Sequence, residues 1–177
     1  SNVTGTINPV YRLAEKAHAA GAEILVDCAQ LAPHRKVDML PHDDPRHLDY
    51  VTLSAHKLYA PFGTGALVGR RETFDRGEPE YRGGGQVDIV TLDSVAWSST
   101  PERDEAGSPN TVGAVALAAA VCQLQSIGME AVAAHEAELT AYALNQLKNV
   151  PGLRIYGDSH PERAAQRLGV IPLLMDG

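Results

Sequence analysis

The sequence predicts an α/β domain: a three-layer arrangement with a mainly parallel sheet and helices on both faces. Two observations carry this. An amphipathic stretch, residues 8–20, runs directly into the apolar run Ala22-Glu23-Ile24-Leu25-Val26, and two further apolar runs, Tyr50 to Leu53 and Ala66 to Val68, follow at intervals. Strands that are apolar nearly throughout, alternating with helices, belong to sheets buried on both faces. Ligands of such sheets bind outside the carboxyl ends of the strands. Asp27 and Ser54-Ala55-His56-Lys57 both follow strand ends, so they can face one site.

The elements are expected in this order. Val10, Leu13, Ala14 and Ala17 recur at helical spacing, with Asn8 as N-cap, Pro9 at the first helical position and Gly21 as the stop. After the first strand come a turn through Ala32-Pro33 and the polar stretch His42-Asp43-Asp44-Pro45, then the second strand and Lys57. Gly63-Thr64-Gly65 precedes the third strand, and 82–85 and 104–110 are polar or glycine-rich loops. Helical periodicity resumes over 111–128 and again over 130–150, ended by Pro151-Gly152. Leu153 to Tyr156 and Gly169 to Leu174 then read as two strands of a new unit. Two strands are marginal alone. The expected division is therefore 1–128 as part of a large domain, 129–150 as a connecting helix, and 151–177 as the start of a small α+β domain.

Composition narrows the function. The formal charge is −7, with 44% hydrophobic and 21% charged residues among 177, which argues against nucleic acid or an anionic membrane as partner, since those call for clustered Lys and Arg. No apolar run approaches the roughly 18 residues of a membrane span, and the first residues lack a basic-then-apolar leader pattern; the cytoplasm is the expected location. Cys28 and Cys122 form no CxxC pair and read as small buried apolar groups. His18 is expected to be exposed, and His42-Asp43-Asp44 to be a solvated acidic loop, so no metal site is expected.

Lys57, Asp27, His56 and Gln30, each taken alone, read as a surface amine, a turn residue, a loop histidine and polar surface. Their joint order reverses this. Ser1-Asn2-Val3-Thr4-Gly5-Thr6 with Asn8-Pro9, Val26-Asp27-Cys28-Ala29-Gln30, Ser54-Ala55-His56-Lys57-Leu58-Tyr59-Ala60-Pro61, Gly63-Thr64-Gly65, Gly83-Gly84-Gly85 and Glu105-Ala106-Gly107-Ser108-Pro109-Asn110 follow one another across nearly the whole chain. In this the chain resembles the class V aminotransferases among fold-type I pyridoxal phosphate enzymes, nearest to the cysteine desulfurase and selenocysteine lyase branch.

The chemistry of pyridoxal 5'-phosphate asks for an amine that forms an imine, for which Lys57 is the candidate. It also asks for a carboxylate that keeps the ring nitrogen protonated, a role that fits Asp27. The resemblance implies the rest: Gln30 hydrogen-bonds the ring's phenolic oxygen, Asn2 lies near that oxygen and the substrate carboxylate, and Ser54 and His56 bind the phosphate. Ser108 falls where the family often has a threonine reaching the phosphate of the neighbouring subunit, which implies a homodimer. The implied activity is that of a carbon-sulfur lyase or cysteine desulfurase acting on a small amino acid, with a sulfur-acceptor protein as partner. The alternatives are aminotransferase, epimerase or kynureninase-like activity, or a non-catalytic remnant. The family's upstream phosphate loop and ring-stacking histidine, and its downstream substrate arginine and sulfur-accepting cysteine, have no counterpart here. The chain thus reads as the central part of such an enzyme.

Overall fold

The computed structural model describes residues 1–61 and 63–176. Phe62, within the glycine-bearing segment 60–65, and Gly177, at the end of the 151–177 unit, lie outside the described residues. Helix α1 (Val10–Ala19) leads to strand β1 (Leu25–Asp27), β2 (Tyr50–Ser54), a 3₁₀ turn (Ala55–Leu58) and β3 (Gly65–Gly69). A short α2 (Arg71–Phe74) and a hairpin of β4 (Val87–Val90) and β5 (Val95–Trp97) precede the long helices α3 (Thr111–Ile127) and α4 (Met129–Leu147). Strand β6 (Leu153–Ile155), a 3₁₀ segment (Pro161–Gln166) and β7 (Leu173–Met175) complete the order. No single helix among the described residues is long and apolar enough to cross a membrane.

The main sheet has the order β1-β2-β3. β1 and β2 are parallel, with Leu25 opposite Tyr50 and Asp27 opposite Thr52, as the apolar runs predict. β3 instead returns antiparallel, Ser54 facing Gly65 and Tyr50 facing Gly69. Its connection, 55–64, is shorter than the dozen or more residues that a parallel crossover needs. β1 and β2, by contrast, are joined by 28–49, long enough to cross over.

Helix α1 packs its Ala14 against Cys28, Leu48 and Val51 to form the core cluster, flanked by Val10, Tyr11, Ile24, Val26 and Leu53. Burying an aliphatic side chain of the size of Leu48 or Val51 contributes about 1.5–3 kcal/mol, so this cluster is what holds α1 on the parallel pair. The helix starts one residue off the expected place: Pro9 is at the cap position without any side-chain cap, and Asn8 lines a cavity instead. β1 begins later than expected because the Ile24 N–H is taken by the Asp49 carboxylate at 2.8 Å rather than by a ladder partner. His18 is likewise not exposed as expected; its ring bonds that same carboxylate at 2.9 Å.

The 151–176 segment lies against α4 and reaches back to the first residues. Arg167, only 2% exposed, is the link. Its guanidinium donates to the carbonyls of Thr4 (3.2 Å), Asp158, Leu168 (3.1 Å) and Val170. The chain around it is tight. Gly5 adopts φ 71°, and a Cβ there would stand 2.7 Å from the carbonyl oxygens of both Leu168 and Val170. The run expected as a strand over 169–174 is therefore shortened to β7: Gly169 N–H bonds Glu136 Oε1 at 2.9 Å, and the carbonyls of Leu168 and Val170 serve Arg167. The β4/β5 hairpin was not expected. Its turn is closed by Thr91 N–H to Ser94 O at 2.9 Å and by Ser94 N–H to Thr91 Oγ1 at 3.0 Å.

Replacing Arg167 by Met leaves four carbonyls without their donor. Each buried polar group left unpaired costs ~1–3 kcal/mol, so R167M lowers the unfolding free energy by roughly 3 kcal/mol or more, measured as a shift in the urea midpoint at unchanged slope.

Candidate active site

Parallel pairing brings the two strand ends side by side. Asp27 closes β1, and the 3₁₀ turn that carries Lys57 begins directly after β2. The Asp27 carboxylate accepts the Ala29 N–H at 2.9 Å, a local turn bond of the kind Asp favours. The next turn follows at once, with the N–H groups of Leu31 and Ala32 bonded to the Cys28 carbonyl at 3.0 and 2.8 Å. This aims Gln30 across the gap, where its Oε1 accepts a hydrogen bond from Lys57 Nζ at 3.1 Å. The 3₁₀ turn is ended by Tyr59 in the left-handed region, φ 68°, and is closed by Ala60 N–H to Ala55 O at 3.0 Å.

A cavity of about 280 Å³ opens here, with Asn2, Asn8, Asp27, Gln30, Lys57 and Leu168 in its wall. Four of the residues singled out from the sequence, Asn2, Asp27, Gln30 and Lys57, thus converge. Ser54, His56 and Ser108 are not among its lining residues. Ser54 ends β2 opposite Gly65, His56 is exposed on the 3₁₀ turn, and Ser108 is exposed in the 105–110 loop. Cys28, next to Asp27, has no exposure at all; burial pushes its thiol up from the ordinary range, and the Asp27 charge adds to this.

Two sets of contacts tie the outer motifs together. Asn110 caps α3, its Oδ1 accepting the Gly113 N–H at 3.0 Å. The same side chain donates to Thr64 Oγ1 at 2.8 Å and to the Gly63 carbonyl at 3.3 Å. The segment before β3 is thereby fixed to the start of α3. Gln86, fully buried, accepts the Gly83 N–H at 2.6 Å and donates to the carbonyls of Tyr81 and Arg103 at 2.9 and 2.8 Å. Gly107 N–H bonds the Gly84 carbonyl at 2.8 Å, so the two glycine-bearing loops are one unit. Nothing in the sequence marks Gln86, since a glutamine in a polar loop has no pattern of its own. Asn110 could have been found, because Asn directly before a helical run is a capping signal.

The comparisons with known proteins bear on family and fold. The family model described as aminotransferase class-V matches residues 1–173. The chain belongs to the class-V aminotransferases. Within this family, a cysteine desulfurase of Serratia proteamaculans is 41% identical over 172 residues, which is 97% of this chain and 40% of that protein. A probable cysteine desulfurase of Halobacterium salinarum is 41% identical over all 177 residues and 41% of its own length. Among solved structures, the apo cysteine desulfurase of Thermococcus onnurineus NA1 matches with a TM-score of 0.83 at 33% identity, covering 100% of this chain and 42% of that one. The fold is accordingly the α/β, fold-type I class expected from the sequence. The chain spans about two fifths of the length of the curated relatives it matches.

A Cβ on Gly113 would lie 1.8 Å from Thr64 Oγ1 and 2.6 Å from Asn110 Nδ2. Gly113→Ala must therefore push the capping pair apart. Overpacking of this kind costs ~1–3 kcal/mol, which thermal unfolding detects as a lowered Tm. Thr64→Ala in the same background recovers part of the loss by removing the atom struck first.

Proposed function

We propose that this class-V aminotransferase chain is the lysine-bearing core of a pyridoxal-phosphate-dependent cysteine desulfurase or related carbon-sulfur lyase. The observation that carries the proposal is the convergence of Lys57, Gln30 and Asp27 on one cavity at the carboxyl ends of the parallel pair, with Lys57 Nζ 3.1 Å from Gln30 Oε1. The donor set fits the cofactor. A primary amine suits its aldehyde, an amide suits its phenolic oxygen, and a carboxylate suits its ring nitrogen.

When bound, pyridoxal phosphate supplies an electron sink for bonds broken next to an amino group. The chain's own residues do the following. Lys57 is the covalent anchor, and as the amine of the cavity it takes and returns protons at Nζ. Gln30 steers that amine through its side-chain oxygen. Asp27, fixed by the Ala29 N–H, favours the protonated ring nitrogen through its negative charge. Asn2 lies on the wall where a substrate carboxylate would approach.

Ser54 and His56, outside this wall, are assigned to the phosphate. Ser108 is assigned to the phosphate of a second subunit, in a homodimer. Residues 151–177 are read as the start of a small domain and 129–150 as the helix that leads to it. The substrate is a small amino acid, cysteine by analogy with the relatives' names, with a sulfur-acceptor protein as partner in the cytoplasm.

Two measurements test this. In the intact protein, borohydride reduction after addition of pyridoxal phosphate fixes the cofactor's mass on the peptide carrying Lys57, and Lys57→Ala abolishes that label. Label on another lysine, or none, overturns the assignment. Asp27→Ala keeps the label but lowers kcat for cysteine on the order of 10²-fold, the range for loss of one electrostatic stabiliser; unchanged kcat removes Asp27 from its role.

A further inference from the structure

At the other end of β2, away from Lys57, three side chains converge that the proposed reaction does not use. His18, in the last turn of α1, points its Nε2 at Asp49 Oδ2, 2.9 Å away. His47, 8% exposed, points its Nε2 at the other oxygen, Oδ1, 3.2 Å away. Asp49 is 2% exposed. The three ligand-type atoms lie within 4.8 Å of one another.

Each imidazole is held from behind. His18 Nδ1 is 2.6 Å from the Pro45 carbonyl, and His47 Nδ1 is 2.7 Å from the Asp44 carbonyl. A carbonyl on Nδ1 puts the proton there and turns the Nε2 lone pair toward the carboxylate, the orientation that metal-binding histidines show. Without a metal ion, a neutral His18 would turn its Nε2 lone pair on a carboxylate oxygen, and His47 Nε2 is shared between Asp49 Oδ1 at 3.2 Å and His42 Nδ1 at 3.2 Å. The two rings are stacked with centroids 4.2 Å apart, so their Nε2 atoms lie on the same side of the carboxylate. One divalent ion satisfies both nitrogens and the carboxylate together.

We propose that His18, His47 and Asp49 form a zinc site that ties the end of α1 to the start of β2. Two nitrogens and one carboxylate oxygen suit zinc and not magnesium or calcium, which prefer oxygen alone. Ligands of a tetrahedral zinc about 2.1 Å from the metal lie about 3.4 Å from each other; here His18 Nε2 is 2.9 Å from Asp49 Oδ2 and His47 Nε2 3.2 Å from Oδ1, and one ligand atom from each of the three residues lies within 4.8 Å of the others, so side-chain adjustments bring them to one ion. Water fills the fourth position. The groups on that side are His42, whose Nδ1 is 3.2 Å from His47 Nε2, and Arg70, whose guanidinium is 3.6 Å from Asp49 Oδ1 and bonds His42. Arg70 is 39% exposed on its side chain and swings into solvent when the ion enters. The site is independent of the cofactor proposal and serves to stabilise the fold.

The test uses the intact, untagged protein in a Cys122→Ser background, which removes the exposed thiol. After treatment with chelator, zinc is titrated against a chromogenic zinc indicator. One equivalent is expected to bind and to raise Tm. His18→Gln and His47→Gln each weaken binding more than about 100-fold, beyond the 10–100-fold of supporting residues, and abolish the rise in Tm. Arg70→Gln tightens binding several-fold, because it removes the competing cation. Failure of the parent protein to take up zinc, or equal affinity in His18→Gln, overturns the site. If the histidine variants do not fold, Arg70→Gln decides: unchanged or weaker zinc binding overturns it.

Discussion

The guanidinium of Arg167 is the constraint on which the cavity wall depends. A buried charge is tolerated only when its hydrogen-bonding capacity is filled, and here four backbone carbonyls fill it, among them those of Thr4 and Val170. No ordinary apolar side chain could bind the first residues and the 158–170 segment at one point, since carbonyls that converge need a donor with several N–H groups in a fixed fork. Arg35 extends the network: it bonds the Arg167 carbonyl at 2.9 Å and pairs with Glu136 on α4. Asn2 and Leu168 stand on the cavity wall because these two distant segments are joined there.

The opposite wall depends on a different kind of order. Asp27 and Lys57 are thirty positions apart, and a parallel β1/β2 register with two short turns is enough to bring them to one cavity. The antiparallel return of β3 then fixes Gly65 opposite Ser54, and Asn110 links Gly63 and Thr64 to the start of α3. Side chains of the reactive type are thus held by backbone pairing, while the loops around them are held by single amides, Gln86 and Asn110.

Much of this was legible in the sequence where the cause is local. Apolar runs marked the three strands of the sheet, helical spacing marked α1, α3 and α4, and the order of motifs singled out Lys57, Asp27, Gln30 and Asn2. What was not legible arises from contacts between residues far apart. The roles of Arg167, Gln86 and His18 follow from partners that only the folded chain supplies, and the shortened β1 and β7 reflect backbone groups taken by Asp49, Glu136 and Arg167. The β4/β5 hairpin was missed because a Thr-Leu-Asp-Ser turn lacks the glycine that usually announces a tight reversal. Ser54, His56 and Ser108 illustrate the reverse case: their motifs are clear, yet they do not line the cavity that holds Lys57.

The two thiols differ in a way that makes the protein its own gauge. Cys122 is exposed on α3, whereas Cys28 has no exposure and is joined through its backbone N–H to the Thr52 carbonyl at 3.0 Å. An alkylating reagent will modify Cys122 in the native state and reach Cys28 only when the parallel strand pair separates. Because local openings range from nearly free to the full cost of unfolding, the modification rate of Cys28 reads out how often the scaffold beneath Asp27 comes apart.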